Sequence, residues 1–448
     1  MWFDLAATRM RNVIVNKWRF DRLSWVLCTL LLMASHTWGQ DLPTAKPEDV
    51  GVSSEKVEKL SAFMQSLVDQ GKIPGGVTMM ARHGKVIHLK AVGLADRETK
   101  KPMTTDAIFR LASMSKLITT VGAMVLVDRG KLALDDPVSR CVPEFANPKV
   151  LVSLDPWQTE PAKREITIRQ LLTHTSGLAS CFDEVVGPLY DAQGIQGGVS
   201  TMQIDLQEIM ARLARIPLVS QPGERFSYGI SSDLLGRVIE VASGMTLDRF
   251  IESEVCRPLG MTDTHFCIPP QKLSRLVDAY IPVETCLRKV KKGETLRQEF
   301  GKGIVTISSD YCYGPWNRFK SGGGGLCSTA SDYLRLCQML LNRGELGGVR
   351  LLKKDTVNMM TSNQIGDLAM RGTPGKFGFG LALLPETSDI HEQLRGSYAW
   401  AGYWSTSFRI SPRGDWILVT MSQLAWDDKE TPAWFAEYER IAAEAIEK

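Results

Sequence analysis

The chain has 448 residues, a formal net charge of +3, and 44% hydrophobic against 23% charged residues. That length and apolar content supply a sizeable core and more than one small domain's worth of chain. The near-balanced charge, with no basic stripe, excludes a nucleic-acid binder. The densest basic run, Arg288-Lys289 with Lys291 and Lys292, is followed by glycine and acidic residues and reads as a solvated loop.

Residues 1–39 read as a leader. Arg9, Arg11, Lys17, Arg19 and Arg22 precede the apolar run from Leu23 to Ala34, and Thr37-Trp38-Gly39 offers a loose small-residue cleavage site before Gln40. The run is shorter than a transmembrane helix needs, so export to the periplasm or beyond is the expectation, with an uncleaved anchor or a later start at Met10 as alternatives. No other stretch is apolar enough to span a membrane. Of the nine cysteines, Cys28 lies in the leader. The others have no Cys-x-x-Cys spacing, which points to neither a zinc site nor a redox motif. In an exported chain some of them would pair. Cys327 and Cys337 read as small core residues.

Beyond the leader, Ser54 to Gln70 has the spacing of an amphipathic helix, opened by Ser53 as an N-cap. Val77 to Arg82 and Val86 to Val92 flank His83-Gly84-Lys85, a hairpin pattern. His83 falls at the turn and His88 in a strand, neither with a metal-spaced partner. The next stretch, Phe109-Arg110-Leu111-Ala112-Ser113-Met114-Ser115-Lys116, runs from a polar segment into an apolar helix. Ser113 and Lys116 are three residues apart and share one helix face. Ile118, Val121, Gly122, Val125 and Leu126 follow at helical spacing, with Gly130 in the C-cap position. A lysine in apolar surroundings is pushed towards its neutral form and can take a serine proton. The unpaired N–H groups at a helix start suit a developing oxyanion. Ser-x-x-Lys also arises by chance, as Ser53 and Lys56 illustrate on a charged helix. On this stretch alone, catalysis and a capped core helix both stay open.

From Ser113 to about Ala242 the patterns are mostly helical, separated by loops rich in proline and glycine. In Thr173-His174-Thr175-Ser176-Gly177-Leu178, His174 reads as a residue that ties down a loop rather than a base, because the serine already has an adjacent amine. Ser321-Gly322-Gly323-Gly324-Gly325 lacks the Lys-Ser/Thr ending of a phosphate loop and reads as close backbone packing or a flexible wall. Thr329-Ala330-Ser331-Asp332 predicts a capping box for a helix through Leu341. Phe377 to Leu384, Tyr398 to Ile410 and Trp416 to Met421 read as strands, and Glu430 to Ile446 as a closing amphipathic helix. Strands at both ends with helices between predict an α/β (α+β) chain. Residues 45–100 and 365–448 would form one sheet domain and 101–364 a mainly helical domain, with the active site at their interface.

Two further stretches could complete a site. Tyr228 lies just ahead of a helix and could share a proton with Ser113 and Lys116, or simply pack at a loop edge. In Ala399-Trp400-Ala401-Gly402-Tyr403-Trp404, Gly402 lets another backbone approach. The Tyr403 N–H could then join that of Ser113 as an oxyanion hole, each donor worth about 10²–10³ in rate; an aromatic core strand is the alternative. No Gly-x-Ser-x-Gly elbow occurs.

In this order the three stretches resemble the serine β-lactamase and penicillin-binding-protein superfamily, most of all the family VIII carboxylesterases and their class C β-lactamase relatives. Leu171 to Leu178, Pro222 to Glu240, Pro258-Leu259-Gly260-Met261 and Gly322 to Leu341 extend the similarity. The resemblance implies a β-lactamase-like fold: an antiparallel sheet built from both chain ends, flanked by terminal helices, with a large helical insertion. It implies Ser113 as the acylated nucleophile, Lys116 as its proton acceptor and Tyr228 as proton shuttle. Trp400-Ala401-Gly402 would fall at the Lys-Thr-Gly strand, with Tyr403 N–H in the oxyanion hole. Ile230 stands where Tyr-x-Asn carries asparagine and Trp400 where the strand carries lysine, so the implied pocket is neutral and apolar. The expectation is a cofactor-independent, metal-free hydrolase of short- to medium-chain carboxylic esters. β-Lactam or D-Ala-D-Ala-type amide cleavage, acyl transfer, and a catalytically silent binding protein of the same fold are the alternatives. Its partner would be a small-molecule ester, with no nucleic acid and no membrane beyond the leader.

Overall fold

The computed structural model describes residues 42–447 apart from 285, 301–302, 315, 371–374 and 388; the leader expected over residues 1–39 lies outside them. Eight strands form one antiparallel sheet: β1 (Gly75–Arg82), β2 (Lys85–Asp96), β3 (Lys101–Pro102), β4 (Lys376–Phe377), β5 (Ala382–Leu383), β6 (Tyr398–Gly402), β7 (Thr406–Ser411) and β8 (Trp416–Ser422). Their order is β4-β5-β6-β7-β8-β1-β2-β3, so the first and last strands of the chain meet mid-sheet, Gly76 opposite Ser422 and Arg82 opposite Trp416.

Side chains alternate between the two faces of a strand, and both faces of the central strands are covered. Val77, Met79 and Ala81 of β1 and Ile417, Val419 and Met421 of β8 pack into the core shared with the helical region. Met80, Trp416 and Leu418 point the other way. There they meet Leu60 and Met64 of α1 (Lys59–Asp69) and Trp434 and Tyr438 near the chain's end. α2 (Ser115–Asp128) is buried almost throughout, and its apolar residues join the first core together with the inner faces of α3 (Ser231–Ser243) and α4 (Ala330–Leu341). The closing helix, α5 (Glu430–Ala445), ends one residue short of its predicted span. The described residues make one compact unit in which sheet and helices share that core.

Several local expectations are met. Ser53 Oγ accepts from Lys56 N at 3.3 Å and Lys56 is exposed, the cap-and-solvent arrangement read for that pair. His83 and Gly84 turn the β1–β2 hairpin with φ of 51° and 72°. Gly130, φ 68°, follows α2.

Others are corrected. Ser113 sits in a 3₁₀ turn, Ala112–Met114, and the α-helix begins two residues later. The span from Tyr398 to Ile410 is two strands, because the Ser405 N–H returns to Gly402 O at 3.0 Å with Ser405 at φ 56°. Gly380, φ 77°, likewise divides Phe377 to Leu384. Within the region read as helical, Lys149–Leu154 and Trp157–Pro161 pair as a hairpin, the β-branched Val150 and Val152 favouring the extended chain. The predicted capping box is half present: Thr329 Oγ1 accepts from Asp332 N at 3.1 Å, while the Asp332 carboxylate is taken by Asp263 N and Thr264 Oγ1. All eight cysteines among the described residues are unpaired. The basic run is partly tied down, Lys289 to Asp278 at 2.6 Å and Arg288 to Glu294 at 2.9 Å.

Leu418 is 2% exposed between the sheet and the terminal helices. Leu418→Ala is expected to cost about 2–5 kcal/mol, read as a lower urea midpoint at unchanged slope. A loss well under 1 kcal/mol would mean that the terminal helices do not close this face.

Candidate active site

The turn that carries Ser113 is fixed from three sides. Leu111 N donates to Leu326 O at 2.9 Å, Tyr333 Oη to Met114 O at 3.0 Å, and Leu326 N to Ser115 Oγ at 3.1 Å. Ala112 holds φ of 46°, an uncommon conformation for a residue with a Cβ. Strained backbone of this kind, held by its surroundings, aims the next side chain. One turn on, Lys116 Nζ lies 3.2 Å from Ser113 Oγ and donates to Gly323 O at 2.6 Å. Lys116 is 6% exposed, and its charge end also faces the Tyr228 ring at 4.8 Å from the centroid.

Tyr228 is packed by aromatic neighbours on two sides, His174 at 4.8 Å and Trp400 at 5.2 Å between ring centroids. The Trp400 indole N–H donates to Tyr228 Oη at 3.4 Å. β6, which bears Trp400, ends at Gly402 against the Ser113 turn. A Cβ at 402 would stand 2.1 Å from Leu111 O and 2.4 Å from Thr406 Oγ1, so only glycine fits. Thr406 Oγ1 itself donates to Leu111 O at 3.1 Å and ties β7 to the same turn.

The six residues that the sequence predicts for the site come to one cavity. Ser113, Lys116, Tyr228, Trp400, Gly402 and Tyr403 line a space of about 700 Å³ together with Ile230 and Gly323. Its outer wall is aromatic: Phe182 and Phe300 meet edge to face at 4.6 Å, Phe300 and Tyr403 at 5.6 Å. The Tyr403 hydroxyl donates to Gln298 Oε1 at 2.7 Å, and the residue lines the same cavity as Ser113. Such an arrangement can supply a nucleophile, a nitrogen to receive its proton, and a phenol beside both.

His174 is 1% exposed, and burial, with the Lys116 charge nearby, pushes its imidazole down to about 3. It packs against Phe226, Tyr228 and Phe377, and its carbonyl accepts from Ser227 N at 2.7 Å. It is thus a neutral ring that ties the Tyr228 loop in place, the structural role read for it. Two groups escaped the sequence reading. The Gly323 carbonyl is a backbone acceptor with no side chain to mark it. Asp233, buried at the start of α3, holds the glycine loop: its Oδ1 accepts from Ser321 Oγ and from Gly323 N. Burial raises the Asp233 carboxyl pKa.

Comparison with known proteins agrees with this geometry. A family model described as Beta-lactamase matches residues 60–439. Esterase EstB of Burkholderia gladioli is 31% identical over 407 residues, covering 89% of this chain and 100% of that protein. Acyltransferase mokF of Monascus pilosus is 31% identical over 345 residues, 73% of this chain and 77% of its own. Among solved structures, EstCE1, described as a hydrolase with promiscuous acyltransferase activity, superposes with a TM-score of 0.77 at 30% identity, covering 88% of this chain and 99% of that one.

Two outcomes test the site. The unfolded His174 imidazole binds a proton below its ordinary value near 6.5, whereas the folded one does so only near 3. His174 therefore favours the folded state above about 6.5, and that contribution falls away as pH drops towards 3. His174→Phe is expected to flatten the loss of stability over that window in urea titrations; an unchanged pH slope would contradict the buried neutral ring. Trp400→Phe removes the indole donor and is expected to slow covalent labelling of Ser113 by a fluorophosphonate about three- to tenfold, the worth of one neutral hydrogen bond. Labelling at the wild-type rate would show that the indole N–H does not act on Tyr228.

Proposed function

The chain belongs to the beta-lactamase family and is a serine hydrolase of that fold; from that premise we propose that it cleaves carboxylic esters of short- to medium-chain acids through an acyl-enzyme on Ser113. In this reading Lys116 and Tyr228 act as one coupled proton-transfer unit. Lys116 Nζ, 3.2 Å from Ser113 Oγ, receives the hydroxyl proton as the oxygen attacks the ester carbonyl. The developing oxyanion is held by the backbone N–H groups of Ser113 and Tyr403. When the tetrahedral intermediate collapses, the C–O bond to the alcohol breaks and the alcohol leaves with the proton returned through Tyr228. Water then attacks the acyl-enzyme, gives up its proton to the same pair, and releases the carboxylic acid while Ser113 regains its hydrogen.

The observation that carries the ester reading is the wall facing Ser113. Trp400 and Ile230 stand there, neutral groups where the resembling β-lactam enzymes place a lysine and an asparagine. A substrate carboxylate would find no strand cation, and an amide would find no side-chain amide at position 230. An uncharged acyl group loses nothing by those replacements. Similarity to EstB and EstCE1 supports the same class of reaction. The likeness to mokF favours a second reading, in which an acceptor alcohol replaces water in the deacylation step.

Hydrolysis of p-nitrophenyl acetate, butyrate and octanoate beside nitrocefin, with wild type and Ser113→Ala at matched folded concentration, tests the proposal. The expected outcome is ester turnover that falls by roughly 10⁴ or more in Ser113→Ala, with little nitrocefin turnover. Faster nitrocefin than ester hydrolysis would overturn the weight placed on Trp400 and Ile230. Activity that survives in Ser113→Ala would remove the nucleophile assignment. A product shifted from acid to ester when a long-chain alcohol is added would favour transfer.

A further inference from the structure

We propose that Asp233 is a positioning residue for Lys116, acting through Gly323; the inference rests on the acyl-enzyme reading above. Lys116 needs a fixed acceptor to hold its Nζ against Ser113, and the only backbone oxygen given to it among the described residues is Gly323 O, at 2.6 Å. A run of four glycines has little conformational preference of its own, so that oxygen has to be held by something else. Asp233, 4% exposed, does this from the first turn of α3. Its Oδ1 accepts from Gly323 N at 3.2 Å and from Ser321 Oγ at 2.5 Å, and Ser321 Oγ accepts from Gly323 N as well, at 3.2 Å.

The fit leaves no slack. A Cβ at Gly323 would stand 2.7 Å from Asp233 Oδ2, so the carboxylate lies directly against the residue that it orders. The preceding glycine is fixed separately, Thr119 Oγ1 donating to Gly322 O at 2.8 Å, and Thr119 is one turn beyond Lys116 on α2. The loop is therefore pinned at 322 from the lysine's own helix and at 323 from the helix that follows Tyr228. Asp233 makes no hydrogen bond to the Ser113 oxygen or the Lys116 nitrogen among the described residues; its carboxylate lies near enough to feel the Lys116 charge, and its hydrogen bonds reach the lysine through the glycine. Without it, residue 323 is free to turn its carbonyl, and Lys116 loses the constraint that aims it.

The test uses the full chain with Asp233→Ala, Asp233→Asn and Ser321→Ala, each checked by thermal melting. It reads kcat and KM on p-nitrophenyl butyrate and the rate of fluorophosphonate labelling. Asparagine keeps an oxygen that can accept from both Gly323 N and Ser321 Oγ, whereas alanine keeps nothing. Asp233→Ala is expected to lower kcat and the labelling rate about 10–100-fold, as a misplaced catalytic group does, with KM within about twofold. Asp233→Asn is expected to stay within about threefold of wild type. Ser321→Ala, which weakens the same brace from the other side, should fall between them and serves if Asp233→Ala does not fold. Wild-type kcat in Asp233→Ala, or in Ser321→Ala where the aspartate variant is unfolded, would overturn the proposal. So would equal losses in the alanine and asparagine variants, since charge rather than geometry would then be at work. Wild type that is neither labelled nor active would instead defeat the acyl-enzyme reading itself.

Discussion

Removing a lysine amine from water is costly unless oxygen acceptors replace the solvent. Lys116 is 6% exposed, and the structure supplies two oxygens, from Ser113 at 3.2 Å and Gly323 at 2.6 Å. Much of the surrounding fold exists to keep that pairing in register. α2 is buried on every side, so the lysine cannot swing out. β6 closes on the Ser113 turn through a glycine that no side chain could replace, and β7 ties to the same turn through Thr406. The glycine loop arrives from the opposite direction and is fastened by Thr119 and Asp233. Chain segments more than two hundred residues apart in sequence, Lys116 and Gly323, thus converge on one nitrogen.

The chemistry of the cavity follows from what surrounds that nitrogen. Trp400 offers Tyr228 a neutral donor and Phe182, Phe300 and Tyr403 form the outer wall. A neutral N–H supports the phenol oxygen without adding a cation to the pocket. Position 400 thus supplies bulk and a hydrogen-bond donor to Tyr228 without placing a cation in the cavity lining.

The part of this legible in the sequence was the part carried by side chains at fixed spacing. Ser113 and Lys116 are three residues apart, and what distinguished them from Ser53 and Lys56 was the apolar helix that follows, which the structure buries while Lys56 stays exposed. The apolar runs of β1 and β8 and the polar turn between β1 and β2 were equally readable, because strand-forming runs and turn chemistry are local. What stayed hidden was carried by backbone or by long-range company. Gly323 contributes only a carbonyl. Asp233 is one acidic residue at a helix start until the loop from residues 321–325 is seen against it. The break between β6 and β7 depends on Ser405 adopting a left-handed conformation, which an aromatic run conceals. The hairpin at 149–161 contradicted the helical context around it, and its short apolar run, Val150-Leu151-Val152, has no period that separates strand from helix.

The meeting of β1 with β8 at the centre of the sheet has a consequence for how the molecule is made. Gly76 is paired with Ser422 and Arg82 with Trp416, so the middle of the sheet joins segments well over three hundred residues apart. During synthesis the hairpin of β1 and β2 emerges early, with the edge of β1 unsatisfied until almost the whole chain has followed. At about 5–20 residues per second that wait lasts on the order of tens of seconds. Closing so long a loop is entropically slow, and an open, apolar strand edge invites pairing with other chains. The turn of Ser113 is closed by Gly402 of β6, which is made only after the helical region. The cavity is therefore complete only once both halves of the sheet are present, and the period of greatest exposure to aggregation coincides with the synthesis of the helical region between them.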